Sequence, residues 1–129
     1  MNSEKNLRSP LGRARGLGSA RQGTHHFWVQ RVSAVALIPL ALWFVFSVAQ
    51  LAGGSYGAAR HWVGSPAVAV TLVLFLIIAF WHAVLGVQTV IEDYVSHEGW
   101  KLSMLVAVKF GLAILGAICV FAVLKVALT

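Results

Sequence analysis

Charge is scarce in this sequence: only 11% of its 129 residues are Asp, Glu, Lys or Arg, against about a quarter in soluble domains. Acidic groups number four and cysteine one, so a disulfide framework and a cysteine-bound metal cluster within the chain are excluded. The single Cys119 lies in an apolar stretch and reads as a small packing residue. There is no glycine-rich dinucleotide fingerprint, so a flavin or nicotinamide is not held here by a Rossmann fold. No internal repeat is visible.

Apolar residues, in contrast, make up 59% of the chain. Three stretches, 32–52, 66–91 and 102–128, approach or exceed the roughly 20 residues that cross about 30 Å of hydrocarbon as helix. Backbone groups in lipid must be satisfied internally, and these stretches lack the alternation of a barrel strand, so the fold is all-α with three transmembrane helices. Pro39 falls inside the first span, where a local kink is expected, and Pro66 suits the first turn of the second. Trp62, Tyr94 and Trp100 near span ends suit the membrane interface.

The formal charge of +6 is concentrated before the first span, where Lys5, Arg8, Arg13, Arg15, Arg21 and Arg31 are opposed only by Glu4. This bias predicts the N-terminus inside, loop 53–65 outside, loop 92–101 inside and the C-terminus outside. Residues 1–22, with Gly, Pro, Ser and Arg and no apolar periodicity, read as a flexible basic arm, and 23–129 as the membrane domain. The arm suits lipid headgroups or an acidic partner surface better than nucleic acid. It also has the arginine-rich, acid-poor texture of a mitochondrial transit peptide; a bacterial cytoplasmic membrane is the preferred reading, with no cleaved signal peptide. Thr24 is placed to cap the helix that leads into the first span.

His82 is the most informative residue, about ten residues and roughly 15 Å of helix from the polar end at Glu92. An ionisable group at that depth is by default functional, although a histidine bonded to a neighbouring helix is the plainer alternative. Ala79, Ala83 and Gly86 lie on its flank and leave room for a flat macrocycle, and neutral imidazole is an axial ligand of haem iron. The same small residues also permit helix packing. His25, His26, His61 and His97 all lie outside the spans as read, so a second axial ligand, if present, must come from another subunit.

Asp93, eleven residues after His82, returns to nearly the same azimuth, with Tyr94 one step round. A phenol can donate a hydrogen bond to a quinone carbonyl, and a carboxylate beside it can orient it or pass protons; a solvated helix end with an anchoring tyrosine is the plainer alternative. Arg31 is expected at a similar height to Asp93 and Tyr94, able to pair with a haem propionate, a quinone oxygen or Asp93. Lys109, inside the third span, is expected to snorkel to the inner interface.

Together, Gly23-x-His25-x-Phe27-x3-Arg31 and His82-x3-Gly86-x7-Tyr94, with Asp93 before Tyr94, resemble the smaller cytochrome b-type anchor of succinate dehydrogenase over about 23–129. The His-Arg-x-Thr-Gly motif of the larger anchor is absent. The resemblance implies that His82 supplies one axial ligand of haem b and the larger cytochrome b anchor the other. It implies that Tyr94 hydrogen-bonds ubiquinone near the iron–sulfur subunit, and it places Arg31 and His25 by the haem propionates or the quinone pocket. Flavoprotein and iron–sulfur subunits would carry electrons from succinate, so the chain would serve an enzyme without being catalytic alone. The rival readings are a small proton-coupled transporter or channel subunit, a haem-free structural anchor, and a fumarate reductase working in the reverse direction.

Overall fold

The computed structural model describes residues 21–129. They form four helices: α1 (Arg21–Leu51), α2 (Tyr56–Gly64), α3 (Pro66–Tyr94) and α4 (Glu98–Leu128), and no strand occurs among the described residues. Three of them, α1, α3 and α4, are long and apolar enough to cross a membrane, as the uninterrupted apolar stretches require. The expected flexible arm 1–22 lies outside the described residues except for Arg21 and Gln22, which are already helical.

Helix α1 therefore starts eleven residues before the apolar stretch read at 32–52. Hydropathy marks where lipid contact begins, whereas a helix extends as far as its backbone bonds allow. Thr24 sits inside the first helical turns instead of capping them, and the helix passes through Pro39. At its far end Gly53 adopts φ +80°, a left-handed conformation that a Cβ would oppose, and the Gly54 amide donates to the Leu51 carbonyl at 2.9 Å.

The segment expected as a loop at 53–65 contains the nine-residue helix α2. Ser55 caps it, its hydroxyl accepting from the Ala58 amide at 3.1 Å, which satisfies one of the free amides of the first turn. Pro66 opens α3 as its sequence position predicts, with Ser65 in the cap position. Between α3 and α4 only three residues are non-helical, and His97 caps α4 by accepting from the Trp100 amide at 3.3 Å.

α3 is the central helix, packed against α1 on one side and α4 on the other. Phe44 of α1 stacks on Phe75 of α3 with ring centroids 5.1 Å apart, and Trp43 stacks on Trp62 of α2 at 5.8 Å. On the other side Gly116 of α4 admits the Phe80 ring so closely that a Cβ there would stand 3.2 Å from Phe80 Cγ. The buried apolar residues, Ala69, Leu72, Leu85 and Ile91, all belong to α3, and α4 buries none.

Candidate functional site: the mid-span histidine and the polar end of the bundle

His82 stands in the middle of α3, twelve residues and about 18 Å from its end at Tyr94. Its Nδ1 lies 2.9 Å from the hydroxyl of Ser33 on α1. That hydroxyl in turn donates to the Gln30 carbonyl one helical turn back, at 2.8 Å, and Ser33 is the buried polar residue of the described chain, 9% exposed. A hydroxyl and an imidazole each lose water on entering the bundle, and this contact gives each a partner. The ring is half-buried and its Nε2 makes no hydrogen bond to a described residue. One turn further along, Gly86 has nothing within 4 Å of where a Cβ would be, so the flank identified from Ala79, Ala83 and Gly86 is open beside Gly86.

The Ser33–His82 and Phe44–Phe75 contacts fix α1 and α3 as antiparallel neighbours in register. Arg31, two residues before Ser33, therefore stands between the levels of residues 84 and 88, about 8–13 Å along the bundle from Asp93. Its expected position at the height of Asp93 and Tyr94 is corrected accordingly. Because α1 continues for ten residues before Arg31, this residue is not at the helix end. Its guanidinium lies over the Phe27 ring, 5.1 Å from the centroid, and forms no ion pair with Asp93.

What α1 does bring to the polar end of α3 is its first turns. His25 and His26 share a cleft with Gln88 and Glu92, which Trp81 and Leu85 also line. Gln88 donates to Glu92 at 2.9 Å, and His26 Nε2 is buried with no hydrogen-bond partner among the described residues. Asp93 and Tyr94 lie beside this cleft but do not line it; both are exposed, Tyr94 at 84%. Lys109 lines a separate, mostly apolar groove between α3 and α4, with Gln88 at its rim. No three His, Cys, Asp or Glu side chains gather among the described residues.

Sequence reasoning missed Ser33, although a hydroxyl within the apolar run from Val32 to Ala36 was a visible signal. It also carried nothing onto His26 and placed no role on Gln88 or Glu92, since only the register of α1 against α3 brings these residues together.

Three spanning helices with few buried side chains, one histidine at mid-depth and a polar cleft at one end define a hydrophobic membrane anchor, a class whose apolar faces are covered by lipid and by other chains. A family model described as succinate dehydrogenase/fumarate reductase transmembrane subunit matches residues 5–125, and the chain belongs to that family. A protein of Paracoccus denitrificans named succinate dehydrogenase hydrophobic membrane anchor subunit is 37% identical over 84% of this chain and 84% of its own length. One of the same name from Rickettsia bellii is 30% identical over 80% of this chain and 82% of its own. A succinate dehydrogenase membrane anchor subunit of Reclinomonas americana is 28% identical over 64% and 71%. No solved structure matches the chain. The family is the one that the spacing of His82, Asp93 and Tyr94 resembles, and the bacterial relatives and three apolar helices support a bacterial multi-pass membrane protein.

Proposed function

We propose that this chain anchors a succinate:ubiquinone oxidoreductase in the bacterial cytoplasmic membrane, supplies one axial ligand of haem b through His82, and forms one wall of the ubiquinone-reduction site. The observation that carries the haem reading is the state of His82: mid-membrane, held by Ser33 through Nδ1, with Nε2 uncommitted and open space beside Gly86. These residues fit the edge of a macrocycle, since Nε2 is a normal axial donor and the glycine removes the side chain that would obstruct close approach. A bound haem b would supply one-electron transfer. With one histidine at this depth, the second ligand belongs to the larger cytochrome b anchor subunit. Arg31, set back from Tyr94 toward the level of His82, is suited to a haem propionate better than to a quinone at Tyr94.

The quinone wall is the exposed last turn of α3. Tyr94 donates its phenolic hydrogen to a quinone carbonyl, and Asp93 beside it accepts or passes protons from the water side. Their exposure suits residues whose surroundings are completed by the iron–sulfur subunit. The adjacent cleft adds His25 to the polar groups at this end. Electrons would come from succinate through the flavoprotein and iron–sulfur subunits, with the basic N-terminal side facing the cytoplasm. A proton relay through the span is disfavoured by the same geometry: the hydrogen bonds from His82 end after Ser33 on a backbone carbonyl.

The test is a reduced-minus-oxidised visible spectrum of the detergent-purified complex, captured through this chain, for wild type and His82→Leu. A b-type spectrum that is lost or altered in the variant while the subunits still copurify is the expected result. Wild-type complex with succinate:quinone activity and no haem overturns the ligand assignment and leaves the anchor; absence of both overturns the whole reading.

A further inference from the structure

We infer that Ser33 is a positioning residue that holds His82 in the tautomer protonated on Nδ1, so that Nε2 presents its lone pair to the metal. The inference rests on the haem reading above and concerns the hydrogen-bond relay behind the ligand. A serine hydroxyl has one hydrogen and two lone pairs. The Gln30 carbonyl, 2.8 Å from Ser33 Oγ, can only accept, so the hydroxyl hydrogen is directed there. At the 2.9 Å contact with His82 the oxygen is then left as acceptor, and Nδ1 must be the donor. A neutral imidazole carries one N–H, which leaves Nε2 unprotonated.

The relay also orients the ring. The two nitrogens point to diverging sides of the imidazole, so anchoring Nδ1 on α1 turns Nε2 away from Ser33. Ser33 sits on a fully formed helix and is 9% exposed, which gives the acceptor a fixed place and shields it from competing water. Hydrogen bonding through the second ring nitrogen fixes the tautomer of a metal-bound histidine and raises its basicity. A more basic ligand favours the oxidised, more highly charged iron, so Ser33 lowers the reduction potential of the centre that His82 binds.

The experiment compares Ser33→Ala, Ser33→Thr and Ser33→Cys with wild type and His82→Leu in the purified complex. It measures haem per copy of this chain and the midpoint potential from a spectroscopic redox titration. Removing the acceptor in Ser33→Ala is expected to weaken haem retention by about tenfold and to shift the midpoint potential of the haem that remains upward. Ser33→Thr, which keeps a hydroxyl at this position, is expected to retain the wild-type values of both. If Ser33→Ala does not assemble, Ser33→Cys, with a weak acceptor of similar size, is expected to show the upward shift. Haem content and potential unchanged in Ser33→Ala or Ser33→Cys, in a complex whose spectrum His82→Leu abolishes, would overturn this inference and leave the ligand assignment standing. Equal losses in Ser33→Thr and Ser33→Ala would overturn it too, by assigning the effect to packing. A wild-type complex without haem overturns both readings.

Discussion

Polar side chains at mid-span persist where the bundle offers them partners, since a hydroxyl or imidazole loses its water there without compensation. Ser33 and His82 meet that condition jointly, while Tyr94 satisfies the opposite one, being 84% exposed at the end of α3. The difference separates the consequences of their substitution. Tyr94→Phe removes one hydrogen-bond donor of about 0.5–1.5 kcal/mol, so quinone reduction in steady-state assays should fall by up to about tenfold. The visible haem spectrum of the same preparation should be unchanged, because Tyr94 lies about 18 Å along α3 from His82. A spectrum altered in Tyr94→Phe would join the two sites and count against their separation.

At the scale of the helices, two glycines of α4 make a controlled comparison. Gly116→Ala places a Cβ 3.2 Å from Phe80 Cγ in the contact between α3 and α4, and overpacking of this kind costs about 1–3 kcal/mol. At Gly111 nothing lies within 4 Å of a Cβ, so Gly111→Ala should stabilise by about 0.5–1 kcal/mol through the helix backbone alone. Thermal unfolding of the complex in detergent should move in opposite directions for the two variants; movement in the same direction would contradict the α3–α4 packing. The short helix α2 depends on its cap: Ser55→Ala removes the bond to the Ala58 amide and should cost about 1 kcal/mol, read as faster amide hydrogen exchange confined to 56–64.

The whole molecule has a small interior. Among the described residues the buried apolar ones are confined to α3, whereas Phe46, Val70, Phe110 and Phe121 are each 65–70% exposed, a distribution suited to lipid and neighbouring subunits. The basic residues before the apolar part of α1 predict an orientation with the N-terminus inside. In a Cys119→Ala background, a membrane-impermeant thiol reagent applied from the outer face should label Ser55→Cys and spare Ser96→Cys, both exposed positions at opposite ends of α3. The reverse pattern would invert the topology and place Tyr94 on the wrong side for a cytoplasmic iron–sulfur partner.

Three spans were legible in the sequence because the requirement for them is one-dimensional: a long apolar run in lipid has to close its own backbone hydrogen bonds as helix. Pro66 at the start of α3 follows equally from local chemistry, since proline has no amide to leave unsatisfied in the first turn. The family was legible from Gly23-x-His25-x-Phe27-x3-Arg31 taken together with the spacing of His82, Gly86, Asp93 and Tyr94, because residues along one helix keep their relative heights and azimuths whatever surrounds them. Helix α2 and the early start of α1 were not legible from hydropathy, which reports transfer to lipid and is silent on helices that lie outside it. The pairing of Ser33 with His82, the height of Arg31 and the cleft formed by His25, His26, Gln88 and Glu92 all depend on how far α1 slides along α3. Side-chain packing sets that register, through contacts such as Phe44 on Phe75, and only the tertiary structure decides it.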